Sequence, residues 1–243
     1  MTWPVITGAV VVFVALAFYL VVFTDGTYFG PRFVRFVYDG LGRRWDYPTD
    51  ARHQRIDQTD LAPVLRSALS STPATLVIDV ACGTGRVPLL LLGQPEWFRS
   101  TVVGADVSSG MLAAGASRLR TVSATTAASA VLVQAAAERL PFRDGCACAV
   151  TCIEALVNFG RPRRALAEMV RVLAPGGSIV ITKRSDALAR LTPGKDFTRR
   201  RLARTLHDLG CTGELSYSPY GGSVGKSEVA VARKIDASSR VSP

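Results

Sequence analysis

Val77-Ile78-Asp79-Val80-Ala81-Cys82-Gly83-Thr84-Gly85-Arg86 is the stretch whose reading decides the fold. Val77, Ile78 and Val80 are β-branched and suit a strand covered on both faces. Gly83 and Gly85 let the chain turn sharply and keep side chains out of the space between backbone and ligand. The apolar run Val87 to Leu92 reads as a helix, so free N–H groups and a positive dipole end face the turn. Asp79 adds a carboxylate near the strand end. A glycine turn with an acidic neighbour suits a molecule with a nucleoside-like body and a cationic amino group.

Outward from this stretch, strands and helices alternate. Strands are expected over residues 75–80, 101–105, 131–133, 147–153 and 178–182, then two late ones over 214–217 and 228–232. Helices are expected after Gly85, from Ser108 or Ser109 to Leu119, over Arg163 to Leu173, and over Thr198 to Leu209 before Gly210. Pro175-Gly176-Gly177 reads as a turn and Thr121 to Ala130 as a connector. Upstream, a helix over Thr49 to Leu69 is capped by Thr49 or Asp50 and closed by Ser70-Ser71-Thr72-Pro73. The pattern predicts an α/β fold: a doubly wound, mostly parallel seven-stranded sheet, Rossmann-like, covered on both faces.

Further upstream, Trp3 to Phe23 contains no charged residue. At roughly 1.5 Å per helical residue it would span about 30 Å, a bilayer core. Trp3, Tyr19 and Phe23 lie near its ends, where aromatics favour the interface. A cleavable signal peptide needs a basic start and a small-residue cleavage site, and neither flanks this run. A buried core helix is disfavoured by its length and all-round apolarity. The expectation is a single transmembrane helix. Arg32, Arg35, Arg43 and Arg44 all follow it, so the positive-inside rule places the folded domain in the cytoplasm. Tyr28 to Pro48 mixes aromatics with arginines and reads as a segment lying on the membrane surface. The expected division is an anchor over 1–26, a juxtamembrane linker and helix over 27–72, the main domain over 73–235 and a disordered tail over 236–243.

Composition limits the chemistry. The 243 residues allow one α/β domain with an appendage, and 29 Lys and Arg against 19 Asp and Glu give a net charge of +10. That excess suits a solvated basic surface, an anionic membrane or nucleic acid. The arginines cluster beside the apolar run and no RNA-binding appendage is visible, which disfavours nucleic acid. Cys82, Cys146, Cys148, Cys152 and Cys211 form no CxxC pair, and His53 and His207 are the only histidines, so no metal site is expected. The cysteines read as small buried hydrophobes in a reducing compartment.

In a doubly wound sheet, ligands bind outside the carboxyl ends of the strands near the switch point. The glycine turn, Asp106 at the end of the second strand and the loop Ala136-Ala137-Glu138-Arg139-Leu140-Pro141-Phe142 converge there. A carboxylate placed like Asp106 can accept both hydroxyls of a ribose. A dinucleotide-binding turn is the nearest rival, but it wants a third glycine where Pro88 stands.

Four ordered blocks carry a resemblance: Asp79 to Gly85, Gly104 to Leu112, Ala137 to Gly145 and Leu166 to Gly177. On these residues the sequence resembles the class I S-adenosylmethionine-dependent methyltransferases, within them the small-molecule branch that includes the ubiquinone and menaquinone methyltransferases. The resemblance implies S-adenosyl-L-methionine as cofactor. Asp79 would face its amino group, with Ala81, Cys82, Gly83 and Gly85 beneath it. Asp106 would hold the ribose, with Val107 and Met111 near the adenine. Ala137 and Glu138 would edge the adenine, and Cys152 would approach the methionine part. Two positions depart from the family: Ala136 stands where an aspartate often binds the adenine amino group, and Cys148 replaces a common aspartate early in the fourth strand.

Methyl transfer needs little side-chain chemistry beyond holding the acceptor in line, excluding water and, where needed, removing a proton. Candidates on the acceptor side are Tyr47, His53, Glu154, Asn158, Tyr217 and Tyr220. The expected activity is methyl transfer to a small, hydrophobic or lipid-like acceptor at the cytoplasmic membrane face. An RNA methyltransferase with a basic surface and a non-catalytic membrane-tethered scaffold are the alternatives.

Overall fold

The computed structural model describes residues 3–20, 27–41, 51–70, 76–94, 98–122, 129–212, 215–221 and 227–236. The opening stretch forms β1 (Leu76–Val80), and helix α5 (Arg86–Leu92) leaves the glycine turn. The other strands are β2 (Thr101–Asp106), β3 (Ser129–Gln134), β4 (Ala147–Cys152), β5 (Leu173–Arg184), β6 (Ser216–Tyr220) and β7 (Ser227–Arg233). Their order in the single seven-stranded sheet is β3-β2-β1-β4-β5-β7-β6. The first five are parallel, and β7 runs antiparallel to both β5 and β6. The strand order reverses between β1 and β4, so a crevice opens at their carboxyl ends. The sheet is the mostly parallel one expected from the sequence, with an antiparallel edge.

Every residue of β4 is buried, as are Val77 to Val80 of β1, because helices cover both faces. One face packs Ile78, Val80, Val150 and Ile179 against Leu166 and Met169 of α7 (Pro162–Val172). The other packs Val77, Val102 and Val180 against Leu91 of α5 and Leu61 and Leu65 on the N-terminal side. Each buried leucine or isoleucine contributes roughly 1.5–3 kcal/mol. The remaining helices of the domain are α6 (Ser109–Val122), α8 (Asp186–Leu191) and α9 (Arg199–Asp208), the last capped by the Thr198 hydroxyl.

Three elements differ from the sequence reading. β5 begins at Leu173 and runs through Pro175-Gly176-Gly177, because the pairing with β4 shifts register there and absorbs the turn residues as a bulge. The first late strand lies at Ser216–Tyr220, not 214–217, and pairs in register with β7. Helix α8 is too short to leave a periodic signal and was not expected.

The N-terminal part contains α1 (Trp3–Phe18), α2 (Pro31–Leu41), α3 (Ala51–Ile56) and α4 (Ala62–Ser70). The expected helix over 49–69 is present from Ala51, with a π turn at Asp57–Leu61 between α3 and α4. Its expected caps, Thr49 and Asp50, lie outside the described residues, as does the tail beyond residue 236. The expected transmembrane helix is not borne out among the described residues, where no helix is long and apolar enough to cross a membrane; the end of the apolar run, in residues 21–26, lies outside them. Helix α1 has 16 residues. It would span only about 24 Å at 1.5 Å per residue. A π turn begins at Tyr19, whose hydroxyl donates to the Leu191 carbonyl and ties the helix end to the domain.

Candidate functional site

A cavity of about 280 Å³ lies at the carboxyl ends of β1, β2, β4 and β5, roofed by Val34 and Tyr38 of α2. Its floor is the glycine turn. Ala81, Gly83 and Gly85 all have positive φ, at 57°, 54° and 83°. Glycine adopts this at no steric cost, but Ala81 is strained, a feature that clusters at functional sites. A Cβ on Gly83 would meet nothing within 4 Å, so the space above the turn is open. The backbone behind it is crowded: a Cβ on Gly104 would lie 2.8 Å from the Cys82 sulfur.

Two carboxylates frame this floor. Asp106 accepts from the Gly83 and Ser108 amides, each at 2.8 Å, which fixes both of its oxygens at the end of β2. Burial raises its pKa, and the amide bonds from Ser108 and Gly83 oppose the rise. Asp79 lies two residues before the turn and accepts from the Thr151 hydroxyl on β4. Its full burial pushes its pKa up to about 7; the Thr151 bond opposes this and the charge of Asp106 adds to it. A cationic amino group placed here would return Asp79 to its ionised form.

The sequence-derived candidates separate into two sets. Asp79, Ala81, Cys82, Gly83, Asp106, Met111, Glu154 and Asn158 all line the cavity. Gly85 packs behind the turn, with Leu119 3.7 Å from where its Cβ would be. Val107 is exposed beside the site, and its carbonyl accepts from the Gln134 amide at 3.1 Å. Ala137 is buried in the core, and Glu138 accepts from the Arg161 amide at 3.2 Å, closing the loop after β3 onto the loop after β4. Cys152 is wholly buried, and burial drives its thiol far above the usual range, so it acts as a neutral hydrophobe. His53 sits on α3, near enough to Asp57 to act on its charge. Tyr217 donates to the Arg199 carbonyl at 3.2 Å, and burial pushes its pKa up to about 12. Tyr220 accepts from Arg86 behind the wall. Tyr47 lies outside the described residues.

Several participants were missed by the sequence reading. Asp39 of α2 accepts from the Ser108 hydroxyl at 2.6 Å and the Gly110 amide at 3.1 Å, which holds the helix over the cavity. Gly110 permits that approach, since a Cβ there would lie 2.5 Å from the Asp39 carbonyl oxygen. Tyr38, on the same helix, accepts from the Asn158 amide at 3.1 Å. Arg86 donates to Asp57 through Nε at 2.7 Å and to Glu154 through Nη1 at 2.8 Å. At the far end of the cavity, Arg184 pairs with Asp196 at 2.7 Å. One signal for Arg86 was present: an arginine opening an otherwise apolar helix needs a buried carboxylate partner.

The arrangement fits S-adenosylmethionine. Asp106 stands ready for a ribose, Asp79 for an amino group, and the open face of Gly83 for the chain between them. At Ala136 the structure has a tight bridge to Arg139 and no carboxylate.

Residues 78–181 match the methyltransferase domain family. The demethylmenaquinone methyltransferase of Mycolicibacterium vanbaalenii is 34% identical over 174 residues, 71% of this chain and 70% of the relative. That of Mycobacterium tuberculosis is 34% identical over 176 residues, 72% of this chain and 69% of the relative. Among solved structures, the magnesium protoporphyrin IX methyltransferase of Synechocystis PCC 6803 with bound SAM superposes with a TM-score of 0.65 at 15% identity, over 84% of this chain and 96% of that one. A SAM-dependent methyltransferase from Methanosarcina mazei gives 0.59 at 19% identity, over 73% of this chain and 99% of that one. These likenesses and the cavity agree: the chain belongs to the S-adenosylmethionine-dependent methyltransferases.

Proposed function

We propose that this methyltransferase acts on a quinone-like, hydrophobic small molecule at the cytoplasmic face of a membrane. The observation that carries the reading is the cavity running from Asp79 and Asp106 to Glu154, Thr182 and Arg184 beneath α2. A recessed pocket of this size, with carboxylates at its floor and wall, suits a small ring better than a nucleic acid strand, which needs an open basic groove. The names of the two relatives support a quinone-like acceptor.

The membrane part of the reading is supported by the N-terminal elements. Helix α1 leaves Val10, Phe13, Leu16 and Phe18 exposed, and α2 leaves Phe36 exposed beside Arg32 and Arg35. The Tyr28 hydroxyl donates to the Pro193 carbonyl at 3.0 Å, so these elements meet the α8 side of the domain, where Leu191 is also exposed. In this reading α1 is the membrane contact and the basic residues that follow it meet anionic headgroups.

Bound cofactor supplies a methyl group on a sulfonium sulfur. The chain holds it with Asp106 and Asp79, keeps water out with α2, and presents the acceptor from the β4 and β5 side. To test this, the full chain in anionic lipid vesicles is given methyl-labelled cofactor and a reduced, demethylated naphthoquinone with an isoprenoid tail. Label in the lipid phase is the expected result. Label transferred to added RNA with none in the lipid phase would overturn the reading, and transfer to no substrate would favour a scaffold.

A further inference from the structure

The wall of the cavity beyond Asp79 carries an ion cluster that binding the cofactor does not explain. Arg86 is buried at the start of α5, where an unpaired guanidinium would be prohibitive. Asp57 meets it through two nitrogens and is delivered by the π turn of the N-terminal helix. The Tyr220 hydroxyl accepts a further bond from it. Glu154, bonded to Nη1 at 2.8 Å, differs from Asp57 in position: it lies on the cavity wall with 20% of its side chain exposed.

The backbone at Glu154 is unusual. It takes φ of 56°, and only Ala81 shares that state among the described non-glycine residues. Such a conformation costs about 1–3 kcal/mol and persists where the surroundings impose it. Here the Glu154 amide donates to the Thr182 hydroxyl while Arg86 holds the carboxylate. Four residues on, the Asn158 Oδ1 is buried with no hydrogen-bond partner among the described residues, although its amide nitrogen donates to Tyr38. The loop leaving β4 therefore sets one carboxylate on the cavity wall, with an unsatisfied amide oxygen buried in the same loop. A carboxylate that reaches the cavity can accept from a donor on a bound molecule.

Position along the sheet separates this donor from the cofactor. Adjacent strands lie about 4.8 Å apart, so the end of β4 is two steps, about 10 Å, from Asp106 at the end of β2. That distance lies past Asp79, on the side where the methyl group must be delivered.

We propose that Glu154 is the acceptor-orienting residue, accepting a hydrogen bond from a hydroxyl of the methyl acceptor, and that Arg86, braced by Asp57, is the positioning residue that holds its carboxylate at the wall. The assignment rests on the small-molecule reading above and adds the residue that selects a hydroxylated acceptor. A site built to bond a hydroxyl discriminates strongly against an analogue that lacks it.

The experiment compares 1-naphthol with 1-methoxynaphthalene, titrated against the full chain already holding S-adenosylhomocysteine. Wild type, Glu154→Gln and Glu154→Ala are measured, with S-adenosylhomocysteine affinity as the control for folding. Wild type should prefer the naphthol at least tenfold. Glu154→Ala should reduce that preference to less than twofold with cofactor-product affinity unchanged, and Arg86→Lys should fall between. An unchanged preference in both Glu154 variants overturns the proposal, as does no preference in wild type. Equal loss of naphthol and cofactor-product affinity overturns it too, and assigns Glu154 to the cofactor. Turnover of the labelled lipid-phase acceptor is scored separately: turnover with a flat naphthol preference removes only the role of Glu154, whereas a clear preference without turnover removes only the quinone-like acceptor.

Discussion

The two ends of the cavity hold their carboxylates in opposite ways. At the β1 and β2 end, Asp79 and Asp106 are bonded by neutral donors, the Thr151 hydroxyl and the amides of Gly83 and Ser108. Burial raises both pKa values. At the β4 and β5 end, Glu154 and Asp57 are tied to Arg86, and Asp196 to Arg184. The first end has no cation of its own, whereas at the second Arg86 is shared by two carboxylates and Arg184 offsets Asp196. Burial raises the Asp57 pKa as well, against the pull of Arg86. A ligand that brings a cation stabilises the first end, whereas the carboxylates of the second are already bonded to guanidinium groups before anything binds. This suits a cationic cofactor at one end and an uncharged, hydrogen-bonding acceptor at the other.

The comparison breaks most visibly at Arg86. Arg86→Ala would leave Asp57 and Glu154 buried or half-buried without their cation, and should destabilise the fold by about 3–5 kcal/mol in urea unfolding. A loss under about 1 kcal/mol would mean that Arg86 does not hold the two carboxylates of the second end as described. The next effect belongs to the first end. Asp79 has a pKa raised to about 7 in the free protein. A bound amino cation lowers it again, so binding below that pH must release a proton. Cofactor-product affinity should therefore fall about tenfold from pH 8 to pH 6, and Asp79→Asn should bind weakly with a flat profile, both read by calorimetry. A flat profile in wild type would show that the amino group does not meet Asp79. The smallest effect concerns the roof shared by both ends. Asp39→Ala removes the bonds to Ser108 and Gly110 and should loosen α2 by about 1 kcal/mol. Stopped-flow release of cofactor product should then quicken about fivefold, with no change for substitutions at exposed Phe36.

The same division explains what the sequence could reveal. The first end is written locally: β1, the glycine turn and Asp106 sit within one βαβ unit, where period, glycine spacing and strand-end acids are all readable. The sheet followed from the same alternation. The second end depends on pairs distant in sequence. Arg86 meets Asp57 only because a π turn rotates one residue of the N-terminal helix inward, and neither composition nor periodicity marks such a turn. Asp39 sits in a segment legible only as a mix of aromatics and arginines, and its role depends on α2 docking on Ser108, 69 residues away. The apolar N-terminal run was legible as apolar, but the π turn that begins at Tyr19 and the bond from its hydroxyl to the Leu191 carbonyl are long-range features that no local pattern marks. Glu138 was expected at the adenine edge, but its bond to the Arg161 amide, which closes one loop onto the other, is set by loop packing and left no local signal.

The central claim is that Asp106 holds the sugar of an S-adenosyl cofactor above the glycine turn. Calorimetric titration of S-adenosylhomocysteine into wild type and Asp106→Ala tests it most directly. Micromolar-range binding by wild type and its loss in the variant are expected, with the fold intact by circular dichroism. Equal binding by both proteins, or no binding by wild type, would contradict it.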